Sequence, residues 1–362
     1  MRTVKYIFIA LGLIVLTALF IYASREFFPS KPEKRIPSEL EKVERENIET
    51  SIPTATIEIQ VGTSTQQNVI TPIQFFDFPL SFIKIDYPYL YAYDPNSKTI
   101  REYDLEAKTY KELYRNPDIN YVSYSKDFNG LVIREKKDFY YLDLLRDKKI
   151  KLPYNTEKTL WKDFDLYIYQ EGSPPFISKI KDNTMKKLFD VYIFNLDMDY
   201  VNDGLIVYEK DKKSPIILIK ENGDKEFIFE PKNNISLITN KNDLIFFSTL
   251  DKRWESYLIN SKGEKLIEFN FGTLKEKCDF KDILVCGVPL DQNIENYSDW
   301  YNLKINFTDR LIFFDPVSKK IKSLYLTNKF DVINPQITKE GLFFINRYDS
   351  RVYLIPQKYF PL

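Results

Sequence analysis

The stretch GLIVYEKDKKSPIILIKENGDKEFIF, Gly204 to Phe229, sets three apolar runs (LIVY, IILI and FIF) apart with two charged turns. Each run is too short for a helix of ordinary length and is rich in β-branched and aromatic residues. The intervening Asp, Lys, Asn and Gly are turn formers, so the segment is expected to be consecutive antiparallel strands. Runs of the same character head the same pattern elsewhere: LYAY at Leu90, LVIR at Leu131, LYIY at Leu166, LIFF at Leu244, LVCG at Leu284 and LFFI at Leu342. Their spacing is close to ~40 residues at every step but the last, which is longer by one insertion.

A period of about 40 residues built from short strands and polar turns predicts four-stranded blades stacked around an axis. Seven runs predict an all-β, seven-bladed β-propeller over residues 67–362. The physical logic is that one small sheet cannot bury both its faces, whereas radially stacked sheets can, and closing the ring shelters strand edges. The last unit, ending in VYLIPQKYFPL, is one strand short. The segment NVITPIQFF, Asn68 to Phe76, precedes the first unit's own inner strand near LSFIKI and is expected to supply the missing one. A pair of β-sandwiches is the competing architecture for short strands at regular spacing.

The units LYAYDPNSKTIREYDL, GLIVYEKDKKSPIILIKENGD and DRLIFFDPVSKKIKSLYL resemble the loose WD40-like repeats of extracytoplasmic propellers such as the C-terminal domain of TolB. They lack the Gly-His and Trp-Asp dipeptides of true WD40 blades. The stretch KCDFKDILVCGVPLDQNIENYSDWYNLKINFTDRLIFF is similar to a blade of uncharacterised membrane-anchored bacterial propeller proteins. That resemblance implies an anchored, envelope-facing propeller and carries no activity with it.

The two cysteines of the chain, Cys278 and Cys286, lie in the same stretch. A reversal centred on Asp282 sets them opposite one another across a hairpin, at a Cα separation of about 4.5–5.5 Å, which a disulfide can bridge. Two buried free thiols are the alternative. The extra residues of the long final step follow at once, as PLDQNIENYSDWYNLKINFTDR, Pro289 to Arg310. Long insertions in compact repeats commonly carry function. This one mixes aromatic and acidic groups in the manner of a binding surface. Asp291, Glu295, Tyr297, Asp299, Trp300, Tyr301 and Phe307 are therefore its candidate interaction residues; folding back to cover the propeller is the other role open to its aromatics.

The opening segment holds an uncharged apolar run from Tyr6 to Ala23, about 18 residues, enough at about 1.5 Å each to cross a hydrocarbon core as one helix. Arg2 and Lys5 precede it, while Arg25 and Glu26 cancel after it. The positive-inside bias therefore predicts a cytoplasmic N-terminus and an extracytoplasmic remainder, a single-pass protein of the cell membrane. A cleaved signal ending near Ala23 is the alternative. Residues 1–24 are assigned to the anchor. Residues 25–66, rich in Pro, Ser, Thr and charge, are assigned to a linker or stalk, within which Ser38 and Glu41 would suit the start of a short helix.

Lys plus Arg and Asp plus Glu both number 52, and histidine is absent. Zero net charge gives no reason to expect nucleic acid as a partner. Without histidine there is no imidazole base, no Ser-His-Asp or Cys-His triad and no histidine-ligated metal. Asp197, Asp199 and Asp203 in NLDMDYVNDG loosely resemble a calcium loop but lack the closing glutamate of an EF-hand. No catalytic, cofactor-binding or metal residue is assigned. The expectation is a non-enzymatic platform, bound to the membrane by its N-terminal helix, that engages an envelope protein. The alternative is a glycan-binding or carboxylate-based glycan-active propeller.

Overall fold

The computed structural model describes residues 69–360, apart from 182–183, 210–213, 232–234, 240–242, 251–253 and 293–297. The expected anchor and stalk lie outside the described residues. Among the described residues no helix is long and apolar enough to cross a membrane.

Among the described residues the chain forms seven sheets, six of four antiparallel strands and one of five whose added strand is parallel. These are blades one to seven in chain order, and their first strands pack against one another around the axis. The apolar runs that betrayed the repeat are the second strands. Gly204–Glu209 of blade four is buried along nearly its whole length, because a second strand has a neighbouring blade against each face. Fourth strands show the reverse: Lys148–Lys151 of blade two and the start of Thr184–Asp190 of blade three are largely exposed. The core is accordingly a series of layers between blades. One layer joins Tyr169 and Ile177 of blade three to Leu196 and Val207 of blade four, and the next joins Ile206 and Tyr208 to Leu237 and Phe247 of blade five. Gly204 opens its strand where an added Cβ would meet the Ile219 carbonyl oxygen at 2.2 Å, so no larger residue fits that approach.

Turn chemistry repeats along with the strands. Asp94 accepts from the Asn96 amide and Asp315 from the Val317 amide, while Lys98 and Lys319 close the two DPxSK turns at φ 60° and 57°. The aspartate carboxylate substitutes for a backbone acceptor and holds the turn.

The ring closes through the segment before blade one, as expected, but by two latches rather than one. Ile73–Gln74 adds antiparallel to Arg351–Pro356 and completes blade seven. Val69–Ile70 adds parallel to Lys320–Leu326 as a fifth strand of blade six. A short chain bridging two blades can satisfy backbone groups on both edges, which a single added strand could not.

Candidate functional site

In an up-and-down blade, the connections from fourth to first strand and from second to third all emerge at one end of the ring, here termed the upper face. The insertion of blade six, between Leu284–Pro289 and Asp309–Asp315, is one of these. The first strand of blade six, Cys278–Phe280, is only three residues long, against six in Leu196–Val201 of blade four. It pairs through three positions, Cys278 with Cys286, Asp279 with Val285 and Phe280 with Leu284. Cys278 and Cys286 are joined by a disulfide, their Cα atoms 4.1 Å apart. The bond reinforces the shortest inner strand of the ring and fixes the 3-10 turn Lys275–Lys277 that runs directly into it.

That turn carries two ion clusters. Lys277 is fully buried and places its ammonium 2.6 Å from Asp309 and in direct contact with Asp331, both carboxylates also being buried. Asp331 lies just ahead of the first strand of blade seven and accepts from the Trp300 indole at 2.9 Å and the Phe307 amide at 3.1 Å. Arg347 approaches Asp331 at 3.6 Å, lies 4.0 Å over the Trp300 ring and donates to the Trp300 and Ile305 carbonyls. Two cations thus face two carboxylates, and the neutral set is what makes burial tolerable. Asp309 accepts from Lys277 and from the Val332 amide through Oδ2 alone, leaving buried Oδ1 without a partner. Burial pushes this carboxyl up to about 6 despite Lys277, and the Asp331 charge adds to the rise.

On the other side of the turn, Lys275 reaches across to Asp197 of blade four, which also accepts from the Tyr208 hydroxyl at 3.1 Å. Burial opposes the Lys275 charge, but Asp197 and Tyr208 outweigh it and the amine is held well above its usual range. Glu276 accepts from the Tyr301 hydroxyl at 2.8 Å; burial, then the Glu276 charge, push that phenol up. Asp199 takes the Thr239 amide at 3.0 Å and the Tyr200 amide at 2.9 Å, so it ties blade four to blade five.

These contacts settle where the insertion's side chains go. Trp300 and Phe307 are buried with Trp254 and Leu274, with Tyr301 packed beside them. Trp300 and Phe307 stack with centroids 6.1 Å apart. Asp299 is half-buried and paired with Lys304 at 3.0 Å, and Asp291 is exposed. Glu295 and Tyr297 lie outside the described residues. The structure therefore brings Trp300, Tyr301 and Phe307 together as the inward side of the insertion. Among the described residues of the insertion, Leu303 is the most exposed large apolar side chain, 79 % against 50 % for Leu290, and it lies in the left-handed region at φ 59° two positions after the short helix Ser298–Tyr301. Tyr154 and Tyr192, 90 % and 70 % exposed, sit on other connections of the same face.

Lys275, Lys277, Asp331, Arg347 and Leu303 do not stand out in the sequence. In a chain with 52 basic residues, nothing separates KEK before Cys278 from a solvated run, and the partners of Lys277, at the start of a strand and in a connection, are 32 and 54 residues away. The one usable signal was adjacency to the cysteine hairpin.

No protein-family model matches the chain, and no curated protein does. Solved structures match its fold. Oligogalacturonate lyase from Vibrio parahaemolyticus superposes with a TM-score of 0.55 at 11 % identity, covering 82 % of this chain and 100 % of that one. The β-propeller domain of Myceliophteria thermophila Cps50 (Swd1) gives 0.54 at 11 % identity, over 79 % and 99 %. The propeller of the Trilobed protease from Pyrococcus furiosus, described as having an open velcro topology, gives 0.53 at 13 % identity, over 76 % and 93 %. Identities this low establish a shared β-propeller fold and nothing about chemistry, since the fold occurs in proteins as different as a lyase and a protease.

Proposed function

We propose that this protein is a membrane-anchored, extracytoplasmic, non-enzymatic platform that binds another envelope protein through its upper face, with Leu303 at the centre of the contact. The observation that carries the reading is the contrast within one loop. Trp300, Phe307, Asp331 and Arg347 lock the insertion down. The same loop holds a leucine out in solvent in a conformation that costs a residue with a Cβ about 1–2 kcal/mol. An apolar side chain kept exposed on a pre-organised base is the arrangement of an interface anchor, because little ordering entropy is left to lose on binding.

The anchor reading is supported by the apolar run Tyr6 to Ala23, and the compartment by the disulfide, which persists in oxidising surroundings. The similarity of the cysteine blade to anchored envelope propellers points the same way. The glycan reading is supported by Tyr154 and Tyr192, whose rings on the same face offer stacking surfaces.

The test is a photocrosslinking residue placed at position 303 of the full chain in its own membranes. One discrete protein adduct, absent when the crosslinker sits at exposed Val317 at the opposite end, is the expected result. An adduct pattern identical at both positions removes the platform reading, and retention on cell-wall glycan that Tyr154→Ala abolishes favours the carbohydrate one.

A further inference from the structure

We propose that the cavity between blades three and four is a binding site for an anionic amphiphile, a molecule with one carboxylate or phosphate head on a short apolar body. The proposal is independent of the upper-face platform, since the cavity lies towards the opposite end and the outer edge of the ring. Its volume is about 490 Å³, within the ~300–1,000 Å³ typical of small-molecule sites.

The charge comes from the outer hairpin of blade three. Lys179 stands directly opposite Lys186 in the ladder, and Lys181 is two positions along from Lys179 on the same face. Like charges placed opposite one another weaken a sheet, and Asp165 offsets only the Lys179 member of the pair. All three line the cavity, and Lys220 of blade four joins them from the other wall. Lys179 is paired with Asp165 at 2.5 Å and Lys220 with Glu226. Lys181 and Lys186 have no carboxylate partner among the described residues. The one acid in the lining, Glu221, is engaged with Lys162 at 3.9 Å. With Lys179 and Lys220 paired, Lys181 and Lys186 are the two ammonium groups that the described residues leave without a carboxylate at this cavity.

The apolar part comes from the layer between the blades. Leu188, Phe189, Leu205 and Ile219 line the cavity and belong to the cluster that packs blade three on blade four. The cavity is the end of that layer left unfilled. A small inorganic anion would satisfy the lysines and leave this floor against water. A neutral apolar molecule would bury the floor and strip water from unpaired ammonium groups. A ligand with both parts satisfies both walls.

The test is amine footprinting of the full chain in phosphatidylcholine nanodiscs, with acylation of each lysine followed by mass spectrometry so that partitioning into lipid does not enter the readout. At a ligand concentration near four times Kd, decanoate or decyl phosphate is expected to slow labelling of Lys181 and Lys186 about fivefold, the ratio 1 + [L]/Kd. Exposed Lys148 should label at an unchanged rate. Inorganic phosphate and decyltrimethylammonium should give no protection. Leu188→Trp, which fills the floor, should abolish protection, and the double variant Lys181→Glu, Lys186→Glu should abolish protection of Lys220 while melting near the parent temperature. Unchanged labelling with either amphiphile, equal protection by inorganic phosphate, or full protection in Leu188→Trp would each overturn the proposal.

Discussion

Leu303 in the blade-six insertion and Asp309, six positions on at the start of the next strand, store opposite kinds of cost. Asp309 is a buried acid with one oxygen unpartnered, raised from its usual 3.8 to about 6 by burial and the Asp331 charge against the pull of Lys277. The folded state therefore holds this proton more tightly than the unfolded chain. Its contribution is full below pH ~4 and is lost as the pH rises through about 6. The stability of the parent relative to Asp309→Asn should accordingly increase as the pH is lowered from 7 to 4, measured by urea midpoints at a series of pH values; a constant difference would place the proton elsewhere. At Leu303, glycine relieves the left-handed strain of about 1–2 kcal/mol at an entropic cost of about 0.5–1 kcal/mol. Leu303→Gly should leave the melting temperature unchanged or slightly raised and abolish co-purification of the partner identified by crosslinking. A leucine kept for packing would instead lower stability on loss of its side chain. Neither feature was legible beforehand: burial of Asp309 depends on Lys277, and the exposure of Leu303 on how its neighbours dock.

The elements of blade six show which local features a sequence discloses. Facing cysteines follow from a turn centre and a ladder of period two, so the Cys278–Cys286 pair could be located from spacing alone. The direction of the insertion's aromatics could not, because Trp300 is turned inward by Asp331 and Arg347 of blade seven. Two expected outcomes separate the staple from the lock. Replacing both cysteines by serine should cost about 2–3 kcal/mol, the loop-closure entropy of a nine-residue ring. Guanidinium unfolding read by circular dichroism would show it, with the same loss on treating the parent with reductant. Trp300→Ala should cost more, about 3–5 kcal/mol from lost packing, because it also deprives buried Asp331 of its indole donor. A cost near zero would mean the insertion is an ornament on a self-sufficient blade, and the rigid base assumed for Leu303 would go with it.

At the scale of the whole ring, blades couple mainly to their neighbours, so the seam between last and first decides whether nearest-neighbour layers add up to one cooperative unit. The ~40-residue period made seven blades legible, since second strands buried on both faces must be apolar in every unit. It left the seam only partly legible, because two-residue strands such as Val69–Ile70 and Ile73–Gln74 are too short for any pattern to mark. The seam is held by backbone pairing to blades six and seven and by Phe75 edge-on to Phe343 at 5.3 Å, with Phe76 and Phe78 packed on the first-blade cluster. The same segment is where residues 1–68 join the ring in sequence, so a pull on the proposed anchor would load the latch before any blade. Removing residues 1–66 should therefore leave the melting transition in place, whereas removing residues 1–78 should lower it and split it, with proteolysis opening blade seven first. Identical melting of the two truncations would mean that the ring closes by contact between blades alone. In that case, tension on the proposed anchor would not reach the fold through these strands.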